Sequence, residues 1–332
     1  MKMIARDKKV DPGDREANVY TPAKKPTMYF IGVTTENSSI MKVFPEWATY
    51  LNLGDCQLKG IDFRLHDTPE VYREAVDFIK HDPQSLGALV TTHKIDLFKA
   101  CKEIFDEFDS YAQIMGEVSS ISKRGGKLVG HAKDPVSSAL ALEAFLPENY
   151  WEKTGAEIFL MGAGGSTIAL TSYLMHGKHG ANRPSKIIVS NRSTPRLMEI
   201  ERIHKTFKSE VPVEYIHAPS PEGNDAIMNQ LVPYSLVVNA TGLGKDAPGS
   251  PLTNAAIFPE HGIVWDFNYR GDLIFLAQAR AQQENRRLQI EDGWVYFLHG
   301  WTQVIAEVFH IDIPTKGLVF EELSTIAAKF RS

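Results

Sequence analysis

Ile158-Phe-Leu-Met-Gly-Ala-Gly-Gly-Ser-Thr-Ile-Ala169 decides how this chain is read. A four-residue apolar run, Ile158–Met161, passes directly into Gly162, Ala163, Gly164, Gly165 and Ser166, and a helical pattern follows. Strand, glycine turn and helix in that order suit a pyrophosphate. The glycines let the backbone come close, and the first helical turn offers unpaired N–H groups with a favourable dipole. A tight strand-to-helix turn with no ligand is the plainer alternative. Outward from this stretch, Lys186–Ser190, Val213–Ile216, Leu236–Asn239 and Ile263–Asp266 are further short apolar runs, with helical stretches such as Leu197–Phe207 between them. Five such strands predict a doubly wound, Rossmann-type parallel sheet.

The second strand of such a sheet distinguishes the dinucleotide. A carboxylate at its end hydrogen-bonds a ribose 2′-hydroxyl and repels a 2′-phosphate. Here the strand ends Ser190-Asn191-Arg192-Ser193, and Arg196 lies one helical turn on. Arginine pairs with phosphate and stacks on adenine, so NADP is expected in preference to NAD. A surface arginine pair is the alternative. Asn239-Ala240-Thr241-Gly242 stands at the carboxyl end of the fourth strand, where open α/β sheets bind ligands, and is expected to brace the nicotinamide ribose. Gly242-Leu-Gly-Lys245 is not a P-loop: the earlier glycine is missing, and Asp246 stands where Ser or Thr must bind magnesium.

The first half alternates in the same way. Tyr29–Thr35, Ile61–Leu65 and Ala88–Thr91 read as strands; Val43–Leu51, Pro69–Lys80 and Ile95–Phe108 read as helices. Val118–Ile121 and Lys127–Val129 flank Gly125-Gly126 as a hairpin. Helical patterns at Leu273–Gln282, Tyr296–Val308 and Phe320–Phe330 close the chain. Met1–Lys25 is charged throughout, which predicts a solvated, mobile tail rather than a signal peptide.

Composition narrows the function. The 332 residues carry 36 Lys and Arg against 41 Asp and Glu, a net charge of −5 with no basic stripe, which argues against nucleic acid. Only Cys56 and Cys101 occur and form no CxxC, so zinc ribbons, disulfide scaffolds and iron–sulfur sites drop out. None of the 11 His falls at a metal-ligand spacing, and a surface place is expected for His93. No apolar run approaches the roughly 20 residues of a membrane span. A cytoplasmic protein acting on a small molecule, monomer or homodimer, is expected.

With these residues in hand, the chain resembles the shikimate dehydrogenase family, shikimate and quinate dehydrogenases together. The glycine loop, Asn191-Arg192-Ser193 and Asn239–Gly242 are similar to its NADP-domain signatures, and Asp266-Phe-Asn-Tyr269 to its Asp-x-x-Tyr segment. Val90-Thr91-Thr92-His93-Lys94 resembles a loop that ends in the catalytic lysine, here one proline short. Gly130-His-Ala-Lys-Asp134 resembles the segment ending in the catalytic aspartate. The resemblance implies a substrate domain over 26–138, completed by 294–332, and an NADP domain over 139–293, with the active site in the cleft between them. It implies Lys94 as acid/base, drawn towards neutrality by burial and by a cationic nicotinamide, with Asp134 as its partner. Ser38, Thr91, Tyr269 and Gln303 would contact substrate. The plainer alternatives are a solvated helix start for Lys94, an N-cap for Asp134 and for Ser38, and a solvent-facing amide for Gln303.

Several positions depart from the family. Ile40 stands in the place of the second serine of a Ser-x-Ser pair that receives the substrate carboxylate. Ala132 and Ser119 replace asparagines, and Lys133 replaces a threonine. A shifted substrate, quinate or another cyclic polyol acid, is therefore expected. Two other functions fit the architecture: a non-catalytic NADP-binding sensor, and a methylene-tetrahydrofolate dehydrogenase, whose motifs match less well.

Overall fold

The structure, a computed structural model, describes residues 20–176, 180–245 and 247–331. It holds two six-stranded sheets flanked by helices, an α/β architecture. The first sheet contains β1 (Thr27–Gly32), β2 (Gln57–Asp62), β3 (Ser85–Val90), β4 (Glu107–Phe108), β5 (Ser120–Arg124) and β6 (Lys127–His131), in the order β2-β1-β3-β5-β6-β4. β1 runs parallel to β2 and β3, whereas β5 is antiparallel to both β3 and β6. The hairpin β5–β6 turns on Gly125 and Gly126, whose φ values of +57° and +80° suit a two-residue primed turn.

The second sheet is wholly parallel. It contains β7 (Ile158–Met161), β8 (Ile187–Asn191), β9 (Val213–His217), β10 (Leu236–Asn239), β11 (Ile263–Asp266) and β12 (Gln289–Glu291), in the order β12-β11-β10-β7-β8-β9. The central strands β7, β10 and β11 are buried at every position, as expected of a sheet covered on both faces. The edge strand β12 is the sixth, beyond the five read from the sequence. At three half-buried residues with polar ends, it lacks the apolar run that marks its neighbours.

Two expectations are corrected by packing. The helix read as Ile95–Phe108 is Lys94–Cys101, after which the chain turns back into β4. Phe105 and Phe108 still meet the core, with their rings 4.9 Å apart, but the first reaches it from a loop and the second from β4; the apolar spacing reported burial rather than helix. The expected mobile tail is docked where it is described. Tyr20 stacks on Phe78 at 5.0 Å, the Ala23 N–H donates to Asp82 at 3.1 Å, and Lys25 pairs with Asp55 at 2.6 Å. Residues 1–19 and Asp246 lie outside the described residues.

Two C-terminal helices, Trp294–Phe309 and Leu318–Ala328, pack on the first sheet, not the second. Trp301 meets Phe30 edge-on at 4.9 Å, and the Trp47 indole N–H donates to the Leu323 carbonyl at 2.9 Å. The helix Asp134–Phe145 contacts both the helix Gly165–Leu174 of the second lobe and Trp294–Phe309 of the first. Its first residue thus stands at the seam. Among the described residues, no helix is long and apolar enough to cross a membrane.

Candidate active site

A cleft of about 780 Å³ runs over the carboxyl ends of β7, β8 and β10. Its wall gathers Gly162, Ala163, Gly164, Gly165, Asn191, Arg192, Ser193, Arg196, Ala240, Thr241 and Gly242. The groups present fit a dinucleotide. Gly162 has φ +107°, and a Cβ there would lie 2.8 Å from the Ala240 carbonyl, so only glycine holds the turn closed. Beside Gly164 a Cβ would meet nothing within 4 Å, leaving open space over the start of the helix Gly165–Leu174. No side chain caps that helix start, and its N–H groups are left for an anion. Arg192 and Arg196 are exposed at the mouth and form no ion pair among the described residues. Thr92 and Ile95, which no nucleotide motif marks, reach the same cleft from the first lobe.

Two expected cofactor residues sit elsewhere. Asn239 is fully buried: its amide donates to Asp266 at 3.1 Å, and its oxygen accepts from the Thr241 N–H at 3.0 Å. It braces the turn from within while Ala240, Thr241 and Gly242 face the cleft. Asp266, its carboxyl pushed up to about 7 chiefly by burial, belongs to the same brace. Ser166 lines the neighbouring compartment and hydrogen-bonds the Tyr296 hydroxyl.

That compartment, about 350 Å³, is where Lys94 and Asp134 meet. β3 and β6 are both antiparallel to β5, so they run the same way and end at the same sheet edge. Lys94 opens the helix after β3, and Asp134 opens the helix after β6. Their side chains, 22% and 13% exposed, form an ion pair, with Lys94 Nζ donating to Asp134 Oδ2. Neither plainer alternative holds: the lysine is not solvated, and the N-cap position is held by Lys133, with Asp134 the first residue of the helix.

Electrostatics reverse one expectation. Burial alone weakens the Lys94 ammonium, but the facing carboxylates of Asp134 and Glu117 outweigh it, and the lysine is held above its ordinary value rather than drawn towards neutrality. Glu117 carries no motif to mark it, since a lone glutamate between Gly116 and Val118 reads as a turn. It is nevertheless 2% exposed, and its carboxyl is pushed up to about 8, first by burial. Tyr296, buried beside Asp134, also escaped the sequence reading; burial raises its hydroxyl well above the ordinary value.

A third compartment of about 490 Å³ adjoins the second through Thr91, Lys245, Tyr269, Phe297 and Trp301, which line both. Ser38 and Arg270 face it, and the N-cap position of the helix Ile40–Tyr50 is Ser39, not Ser38. Gln303 is on the helix Trp294–Phe309 but outside both walls; Gly300, Trp301 and Val304 take the facing stripe. Ile40 faces no ligand at all, being fully buried in the core of the first lobe. Lys133 turns away to pair with Glu307 at 2.6 Å. His93 is 1% exposed, between the Tyr72 hydroxyl at 3.0 Å and the Gly32 carbonyl at 3.1 Å; it is a core histidine, not a surface one.

No family model matches the chain. Among curated proteins it is similar to the NADP(+) shikimate dehydrogenase of Symbiobacterium thermophilum, 29% identical over 189 residues, which is 56% of this chain and 60% of that one. The match thus spans about 60% of the relative's length. Among solved structures, shikimate dehydrogenase from Aquifex aeolicus aligns with a TM-score of 0.68 at 18% identity, covering 94% of this chain and 99% of that one. Quinate dehydrogenase from Corynebacterium glutamicum, in complex with NAD, aligns equally well (TM-score 0.68, 18% identity), covering 92% and 99%. By sequence relationship the chain is similar to shikimate dehydrogenases over part of their length, and by fold it is similar to shikimate and quinate dehydrogenases over nearly all of it.

Proposed function

We propose that the chain is an NADP-dependent dehydrogenase of the shikimate/quinate type, acting on a ring hydroxyl or ketone of a hydroxylated cyclic carboxylic acid. One observation carries this: a buried lysine–aspartate pair opens onto a compartment that shares Ala240, Thr241 and Gly242 with the nucleotide cleft. A sensor would need no such pair. The curated relative's name supplies the cofactor reading, and Arg192 and Arg196 suit a 2′-phosphate. The glycine loop would hold the pyrophosphate, and Ala240–Gly242 would lie beside the nicotinamide.

NADP(H) when bound supplies or takes up the hydride at the substrate carbon. Lys94 handles the proton. Held as an ammonium, it donates from Nζ to the oxygen of a ketone being reduced, and that oxygen leaves as a hydroxyl. In the opposite direction the neutral amine accepts the hydroxyl proton. Asp134 keeps Nζ aimed into the compartment and has a second oxygen for a neighbouring substrate hydroxyl.

The substrate is displaced from shikimate. The wall facing Lys94 is rich in aromatic rings (Phe267, Tyr269, Tyr296, Phe297 and Trp301), and at Gly300 a Cβ would meet nothing within 4 Å. Lys245 and Arg270 put positive charge beside Tyr269, which suits an acid group there. Ser119, in place of a hydroxyl-reading asparagine, accepts the Lys133 N–H at 2.7 Å. A panel of shikimate, quinate and related ring acids, each assayed with NADP and NAD in both directions, tests the reading. The expected result is NADP-dependent turnover with a ring acid other than shikimate preferred. Shikimate turned over far better than every analogue overturns the shift, and no turnover of any member overturns the dehydrogenase.

A further inference from the structure

Glu117 has no part in the chemistry derived above, yet it is buried, 2% exposed, against the Lys94–Asp134 pair. It leaves the left-handed Gly116 (φ +64°) that ends the helix Ser110–Met115 and points into the seam between the lobes. Four groups from four segments face it: Lys94 from the helix after β3, Asp134 from the helix after β6, Asp109 ahead of Ser110–Met115, and the buried Tyr296 hydroxyl from the C-terminal helix. From the second lobe, Gly165 closes the pocket: a Cβ there would stand 3.1 Å from Glu117 Oε2. Among the described residues, Oε1 has no hydrogen-bond partner. A carboxyl 2% exposed and half unsatisfied costs stability unless it is neutral or paired. One ammonium cannot neutralise Asp134 and Glu117 together.

We propose that Glu117 is a positioning residue of the Lys94–Asp134 centre: it acts from behind the pair, holding a proton at neutral pH and, on losing it, fixing Lys94 as an ammonium. The inference rests on the dehydrogenase reading for its kinetic consequence but not for its electrostatic one. The upward displacement of the Glu117 carboxyl, to about 8, agrees with the geometry. Below that pH the Lys94–Asp134 pair has a neutral Glu117 beside it. Above it a second negative charge faces Nζ, the lysine binds its proton more tightly, and the neutral amine needed to oxidise an alcohol appears only at higher pH.

Glu117→Gln keeps the shape and removes the charge; Glu117→Asp keeps the charge. The full chain, labelled with 15N at lysine Nζ, is titrated by NMR from pH 6 to 11, with Lys94→Met assigning the signal. In the wild type, Lys94 is expected to show an inflection near 8 from its neighbour, absent from Glu117→Gln, and its own titration is expected about one unit lower in that variant. Glu117→Asp restores the inflection. With a turned-over substrate, the ratio of Glu117→Gln to wild-type oxidation rises about tenfold between pH 7 and 10, the same one unit expressed as a rate. Identical Lys94 titrations in wild type and Glu117→Gln overturn the proposal, as does a variant-to-wild-type ratio that is flat across pH. Should no substrate be found, the dehydrogenase reading fails, while the NMR titration still decides the role of Glu117.

Discussion

The two halves of the cleft are made of different material. The nucleotide half is largely backbone: a glycine turn that a Cβ would block at Gly162, an uncapped helix start, and the Ala240–Gly242 turn braced by Asn239 from behind. The substrate half is made of side chains: the Lys94–Asp134 pair, five aromatic rings, and charges at Lys245 and Arg270. A backbone site changes only when the local fold changes, so one loop serves many sequences. A side-chain site is rewritten one residue at a time, and such rewriting leaves a proton-transferring pair free to stay.

The sharpest way to separate the halves is Lys94→Ala. Removing a general acid lowers turnover by about 10²- to 10⁴-fold, while NADPH affinity, read by fluorescence titration, is expected to stay within a few-fold. Equal loss of binding and turnover would join the halves into one. Next in size is Ile40→Ser, which tests whether the missing serine is a site difference at all. Ile40 is fully buried, so the change is expected to cost about 3 kcal/mol of stability in denaturant titration and to bring no gain with shikimate. A gain with shikimate at unchanged stability would return Ile40 to the site. Arg192→Ala combined with Arg196→Ala is expected to weaken NADPH about tenfold and to leave NADH alone; equal weakening of both would detach the arginines from the 2′-phosphate. The smallest change is Ser38→Ala, expected to raise KM about threefold with kcat unchanged. No change in KM removes Ser38 from the substrate wall.

The same contrast explains what was legible in the chain before its fold was known. β7, β10 and β11 were read to the residue because strands buried on both faces are unbroken apolar runs with glycine or polar residues at their ends. The glycine loop was legible because backbone geometry demands a residue type at fixed spacing. Lys94 and Asp134 carry no such spacing, being 40 residues apart, and became visible only through a family resemblance. Glu117 and Tyr296 were invisible because nothing local distinguishes a buried charge or hydroxyl from an exposed one; burial of that kind is a property of the assembled seam. Gln303 and His93 were misplaced for the converse reason. Gln303 was assigned by resemblance and His93 by residue type, and helix face or cap position then carried each elsewhere. The direction of the Lys94 shift failed likewise, because Asp134 and Glu117 together outweigh burial, and Glu117 comes from a segment with no motif.

The bond from the Trp47 indole to the Leu323 carbonyl joins residues 276 positions apart. During synthesis on the ribosome the first sheet therefore keeps one apolar face uncovered until the helices Trp294–Phe309 and Leu318–Ala328 have been made, whereas β7 to β12 are complete beforehand. Of the two sheets, the one translated earlier is thus the later to be sealed.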